Sequence, residues 1–468
     1  MYELTKHRRS TARAVGAAIV LLALLTLGAA AAFAAPGDTI LISRQSDSAG
    51  GAAADASSEA VTVSGDGRYV AFSSRATNLS DADDDDARDV FVRDTATGTT
   101  SLVSRQSAES GGAGGNADSY QPTISADGRL VAFTSAASNL SRAQRTNRPS
   151  VYLRDLVAET TKLVSRQGAS RGHRAADGGS SEPAISADGR WVAFTSAADN
   201  LSRAADKPVR NAFVRDTRRR RTLLVSRQSA SDGGKGTNDV VSSVSISGNG
   251  RYAAFGSGGS NLAHDAERDP SWGGVFVRDI QRRKTRLISR QSSDLGGDVA
   301  QCCSAFPSIS ADGKLIAFRS SARNLRPPGI PWEGQGPIEA IYVRDLARRT
   351  TELASRASIS EGGDTPNDAS DQPSISADGR YVAFHSWAAN LSPDDRDFHA
   401  DIFVHDTVGG TTELVTRQSA SAGAKPSDGE SRGPAISADG RFIAFSSWAE
   451  NLSDDDVALV DAFLRQVR

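Results

Sequence analysis

The stretch Ile124-Ser125-Ala126-Asp127-Gly128-Arg129 decides the fold, because it returns along the chain. The same six residues stand at 185–190, 375–380 and 436–441, and variants stand at 63–68, 246–251 and 309–314. The residue before the glycine is Asp66, Asp127, Asp188, Asn249, Asp312, Asp378 and Asp439, at spacings of 61, 61, 61, 63, 66 and 61. Seven copies at one period mark a repeat architecture, in which each unit buries its apolar surface against the next.

Each copy carries four short apolar runs. In the second they are centred on Thr123-Ile124, Val131-Ala132-Phe133, Val151-Tyr152-Leu153 and Leu163-Val164. Runs of four to seven residues, rich in β-branched and aromatic side chains and bounded by Gly, Asp and Ser, are strand signals. Ala-Asp-Gly between the first two runs predicts a tight hairpin, with Gly taking positive φ. Pro122, Pro183, Pro307, Pro373 and Pro434 are read as the first residues of their strands, where a missing N–H is tolerated. Runs such as Val131-Ala132-Phe133 do not alternate with polar residues, so both faces of each sheet are expected to be covered. Four strands in each of seven repeats predict an all-β, seven-bladed β-propeller.

The two ends complement each other. The seventh copy supplies three strands, and a run matching the fourth stands near the other end as Ile40-Leu41-Ile42-Ser43-Arg44-Gln45. This run is predicted to complete blade seven and close the ring, which removes free sheet edges. The domain reading is a signal segment at 1–34 and a propeller at 35–468. Its repeats lie near 61–106, 120–167, 182–228, 243–291, 307–356, 373–418 and 434–468, closed by 38–46.

The pattern P-x-I-S-A-D-G-R-x-V-A-F, then V-F-V-R-D and T-x-L-V-S-R-Q, resembles the TolB-type (WD-like) propeller repeat of bacterial envelope proteins, over about residues 38–468. The resemblance implies the propeller fold. It places the chain among scaffolds, binding proteins and a few enzymes, including sugar lyases that use His and a metal.

Composition narrows the function. Lys and Arg number 54 against 56 Asp and Glu, a net charge of −2, which argues against a dedicated nucleic-acid binder. Two Cys in 468 residues exclude a disulfide scaffold and a CxxC-type zinc site. Lys6, Arg8, Arg9 and Arg13 precede an apolar stretch and Ala32-Phe33-Ala34, which reads as a secretory signal peptide, the alternative being an uncleaved membrane anchor. The expected location is therefore secreted, cell-envelope or periplasmic.

The long loops between second and third strands hold the most specific chemical signal. Asp83, Asp85 and Asp89 in blade one have the spacing D-x-D-x-x-x-D, and Asp395, Asp397 and Asp401 repeat it in blade six. Blade seven keeps Asp455 and Asp461 but has Val457 between them. Clustered loop carboxylates suit a hard cation such as Ca²⁺, the alternative being a solvated acidic rim. His399 stands in the acidic loop of blade six and is a candidate further ligand.

The turns between third and fourth strands carry Arg218, Arg219, Arg220 and Arg221 in blade three, Arg282 and Arg283 in blade four, and Arg348 and Arg349 in blade five. Neighbouring blades should merge these into one basic patch for an anionic polymer or lipid headgroup.

G-x-S-x-G occurs around Ser170 and Ser431, in loops rather than the strand–turn–helix setting a nucleophile needs. Cys302 and Cys303 are adjacent, open to a vicinal or intermolecular disulfide or to free thiols. His385 and His405 replace ordinary strand residues and are expected to be packed, and the arginine of S-R-Q to pair across strands. The leading functional expectation is a non-enzymatic exported propeller binding an envelope protein or glycan through the long-loop face. The alternative is a carbohydrate-active or other hydrolytic or lyase enzyme with its site at the central channel mouth.

Overall fold

A computed structural model describes residues 35–83, 85–144, 146–205, 208–263, 273–326, 338–395, 397–455 and 459–468. Residues 1–34, read above as a signal segment, lie outside the described residues, as do Val457, His264 and the proline-rich 327–337. Seven four-stranded antiparallel sheets form seven blades, and the strands within each pair in sequence order from the second copy onward as in the first. The seventh sheet holds Ser431–Ile436, Phe442–Ser447 and Asp461–Gln466, and its fourth strand is Thr39–Leu41 from the other end of the chain. Ile40 pairs with Leu464 and Leu41 with Phe463, and the predicted closure is thereby seen.

The hexad can now be explained residue by residue. Ile124 is buried in the core between blades. Ser125 Oγ donates to Asp127 and accepts the Leu130 N–H, which closes the hairpin. The third position forms a belt. Gly65 donates its N–H to the Ala126 carbonyl, Ala126 to Ala187, and Ala187 to Gly248. Asn249 then donates to Ala311, Ala311 to Ala377, Ala377 to Ala438, and Ala438 back to Gly65, all at 2.9–3.1 Å. Seven blades thus share one circular run of backbone hydrogen bonds. Only small residues fit there: a Cβ on Gly65 would sit 3.1 Å from that of Ala126.

Arg129 forms a two-pronged ion pair with Asp155, which in turn caps its own turn by accepting the Val157 N–H. Arg68–Asp94, Arg190–Asp216 and Arg380–Asp406 repeat this. In every blade a second-strand Phe faces a third-strand Phe or Tyr, with ring centroids 5.7–6.0 Å apart. Apolar residues on both faces are buried because each blade is covered by its two neighbours.

One local reading needs correction. The five prolines are the fourth residues of their strands, as in Ser119–Ile124, not the first. Each follows a residue with positive φ or a glycine, such as Gln121 at 54°, where the register shifts between Tyr120 and Thr123. The bulge breaks the ladder, so no N–H is missed. The S-R-Q arginines stand in isolated antiparallel bridges, Arg44 with Ala53 and Arg105 with Gly114, outside the four-stranded sheets. Arg44 Nε donates to the Gly51 carbonyl at 2.8 Å, and Arg105 and Arg290 do the same to Gly112 and Gly297, holding the connection between blades.

The cross-strand fastening falls to the arginine of V-R-D. Arg278 Nη1 donates to the Gln228 carbonyl of the preceding connection at 3.0 Å and to Thr285 Oγ1 at 2.7 Å. Blade six has His405 here, 4 % exposed, with Nδ1 2.8 Å from Thr412 Oγ1. Burial, with Arg356 adding to it, lowers His405 to about 4. Unfolded chains take the proton near pH 6.5, so this position stabilises the fold above that value and loses its contribution as pH falls toward 4. Urea unfolding of His405→Arg is expected to show a fall in stability between pH 7 and 4.5 smaller than wild type by about 2 kcal/mol.

Candidate functional site in the acidic loops

In blades one, three, six and seven the third strand starts with a side chain that meets a hydroxyl just past the fourth strand. In blade one Asp89 accepts from Ser104 Oγ, and in blade six Asp401 Oδ1 accepts from Thr416 Oγ1 and from Ser427 Oγ at 2.7 Å. The loop that precedes this strand folds back over it. One oxygen each from Asp83, Asp85 and Asp89 lies within 4.8 Å of the others, and Asp395, Asp397 and Asp401 do likewise. A hard divalent cation held at about 2.4 Å by oxygen ligands bridges oxygens as far apart as this.

Burial makes these clusters costly without a counter-charge. Asp89 and Asp401 are each 1 % exposed, and Asp395 is 5 % exposed. Asp401 Oδ2 is buried and accepts no hydrogen bond from the protein. Desolvation raises Asp89 to about 8, with Asp83 and Asp85 adding to it, and raises Asp401 to about 7 and Asp395 to about 6. Arg417, the basic group beside blade six, is engaged by Asp394 at 2.9 Å, and His399 Nδ1 lies 3.3 Å from Asp397.

The equivalent positions described in blades two, three and seven meet groups of the protein itself. In blade two the positions of Asp83 and Asp89 are Gln144 and Ser150, and the Gln144 amide donates to Ser150 Oγ at 2.7 Å. In blade three Asn211 replaces the strand aspartate, accepts from Ser226 Oγ and donates to the Val209 carbonyl. In blade seven Arg44 pairs with Asp455 at 3.2 Å. Sequence spacing located both acidic clusters; it did not reveal which carboxylates would be buried, because that depends on the neighbouring connection.

The arginine-rich turns divide between grooves and open surface. Arg220, Arg283 and Arg349 enter grooves between blades, and Arg219 and Arg221 line the same groove as Arg283. Arg218 leans toward Asp188 at 3.7 Å and Arg348 toward Asp345 at 3.4 Å. Arg282 donates its backbone N–H to Asp279.

Around the inner strands, charged groups are paired within a blade and, for Arg319 and Asp371, between two. Arg319 pairs with Asp371 at 2.8 Å and Glu339 at 3.2 Å, Arg432 with Glu430 at 2.7 Å, and Arg210 with Glu182 at 3.5 Å. His385 is 2 % exposed beneath Trp387, with ring centroids 4.7 Å apart. Ser170 lies in a 3-10 turn, Ala169–Arg171, and Ser431 opens an inner strand, so neither stands at a nucleophile elbow. Cys302 and Cys303 are free thiols with sulfurs 3.6 Å apart. Among the described residues, no helix is long and apolar enough to cross a membrane.

No family model matches the chain, and no curated protein does. Solved structures do. Oligogalacturonate lyase in complex with manganese is 11 % identical, with a TM-score of 0.53, over 93 % of this chain and 98 % of that one. The β-propeller domain of the Trilobed protease from Pyrococcus furiosus, described as having an open velcro topology, is 10 % identical, with a TM-score of 0.50, over 88 % and 98 %. TolB from Acinetobacter baumannii is 16 % identical, with a TM-score of 0.39, over 81 % of this chain and 65 % of that one, so the chain spans less than two thirds of that protein's length. These likenesses are of fold: the chain is a seven-bladed all-β propeller.

Proposed function

We propose that this chain is an exported, non-enzymatic binding propeller that takes up a Ca²⁺-like divalent cation in the second-to-third loops of blades one and six, and presents that loop face to an envelope protein or glycan. The observation that carries this reading is the buried Asp401 carboxylate, whose Oδ2 accepts no hydrogen bond from the protein and which has one oxygen within 4.8 Å of oxygens of Asp395 and Asp397. The amide in blade two and the arginine in blade seven support it, since each supplies internally what a cation would supply in blades one and six. Three carboxylates leave room in the coordination shell for backbone carbonyls, water or a ligand hydroxyl, which is how such a cation would join the loops to a glycan. The matching of arginines with carboxylates around the inner strands favours binding over hydrolysis or elimination there.

Calorimetric titration of metal-free protein with Ca²⁺ is expected to give two sites per chain. Asp395→Asn and Asp83→Asn should each remove one. A cation at a hundred times its Kd stabilises by about 2.7 kcal/mol per site, so chelator should lower Tm by several degrees in wild type and hardly at all in the double variant. A melt indifferent to chelator, with no titration heat for Ca²⁺, Mg²⁺ or Mn²⁺, would overturn the reading.

A further inference from the structure

The same groove recurs between successive blades, floored by the V-R-D arginine and flanked by the preceding S-R-Q arginine and by the turn between third and fourth strands. In blade one the floor residue is Arg93, and the groove is closed from within: Asp47 Oδ1 lies 2.8 Å from Arg93 Nη2. That carboxylate fits because the turn residue is Gly98, at φ 64°, where a Cβ would fall on Asp47 Oδ2.

Blades three, four and five reverse both choices. The position of Asp47 becomes Ala169, Ala230 and Ser293, which removes the carboxylate. The position of Gly98 becomes Arg220, Arg283 and Arg349, which adds a guanidinium. These three arginines hold φ of 53°, 56° and 61°, a conformation that favours glycine. A left-handed arginine at a glycine position, three times in succession, is strain retained for a side chain. Each groove now joins at least three arginines. Arg166, Arg215 and Arg220 line one of about 420 Å³ with no acidic residue. Arg227, Arg278 and Arg283 line the next, of about 580 Å³, again with none. Arg290, Arg344 and Arg349 line the third, of about 630 Å³, where Asp232 is the acid present. Among the described residues no carboxylate pairs with Arg215, Arg278 or Arg344. Burial and the two flanking arginines lower each of these floor residues to about 10. The groove entering blade two keeps a balance, with Glu159 at the turn position, and blade six dismantles it with His405, Ile359 and Gly410.

We infer that the three consecutive grooves are repeated anion sites, each placing a phosphate- or carboxylate-type group where Asp47 sits in blade one, and that together they hold a linear polyanion across the rim of blades three to five. Equal sites one blade apart call for a ligand with repeating anionic groups rather than a single small anion. A flat guanidinium on the floor and two on the walls suit bidentate capture of such groups.

The test titrates the full mature chain with polyphosphate, polygalacturonate and orthophosphate at low salt. Wild type is expected to bind at least one polymer about thirtyfold more tightly than orthophosphate, with affinity falling as salt rises. Polyphosphate against polygalacturonate tells a phosphate from a carboxylate source. The triple variant Arg220→Gly, Arg283→Gly, Arg349→Gly copies Gly98, relieves three left-handed residues, and should keep its Tm while losing about tenfold or more in affinity. Ala169→Asp with Arg220→Gly rebuilds blade one's internal carboxylate in blade three and should weaken binding about threefold with Tm unchanged or raised. A charge-matched control, Arg75→Ala, Arg203→Ala, Arg323→Ala, removes exposed arginines outside the grooves and should stay within about twofold of wild type. Absence of polymer binding, a triple variant within twofold of wild type, or a control that loses as much as the triple variant would each overturn the inference.

Discussion

Excising residues 39–45 is expected to lower the melting temperature by about 10 °C or more, the largest single effect in this molecule. The segment supplies the outer strand of blade seven. It buries Leu41 (5 % exposed) and Ile42 (0 %), and truncation of one such side chain costs about 2–5 kcal/mol. It also takes away Thr39 Oγ1, which receives Arg465 Nη1 at 2.6 Å, and Ser43 Oγ, which donates to Asp461 at 2.5 Å. Losing both side chains with their strand pairing exceeds about 5 kcal/mol, and a chain of this size shifts by roughly 2 °C per kcal/mol. Ile42→Ala alone should cost about 3 kcal/mol in urea unfolding. A deletion that melts like wild type would mean that blade seven does not depend on the other end of the chain.

Gly67→Val should be the most damaging point substitution in the hairpin series, at about 4 kcal/mol or more. Two effects add there. Gly67 has φ 81°, which costs a non-glycine residue about 1–2 kcal/mol and a β-branched one more. The Phe442 ring of blade seven also packs on this glycine, so a Cβ would fall 2.2 Å from Phe442 Cδ2. Overpacking of that kind costs about 1–3 kcal/mol further. Gly50→Ala separates the terms. Its φ of 102° is also left-handed, but nothing lies within 4 Å of its Cβ position, so only the backbone cost of about 1–2 kcal/mol should appear. Equal effects at the two sites would show that the stacked ring yields freely.

The hairpin glycine illustrates how far a repeat can be read. Its positive φ is legible from Asp-Gly between two apolar runs, whereas the ring stacked on it comes from the preceding blade. Gly128 receives Tyr69 and Gly250 receives Trp191, some 59 residues earlier in each case. The prolines were misplaced for a related reason. A bulge adds one residue without changing the apolar pattern around it, and Gln121 carries no turn signature. The acidic loops were legible as clusters, yet their chemistry was not. Asp455 resembles Asp395 in the sequence, but the one meets Arg44 and the other does not, because Arg44 arrives from the opposite end of the chain. The basic turns were read as one patch, and the structure sorts their arginines residue by residue into groove and surface.

Periodic sequence alone carried the number of blades, the strands within them and the ring closure, because strand propensity, turn chemistry and complementary chain ends are local or counted properties. The tertiary structure alone decided which charges are buried and which are answered. Burial and pairing are set by the neighbouring blade, about sixty residues away, and a carboxylate or guanidinium takes its chemical character from the groups brought against it and the water excluded around it.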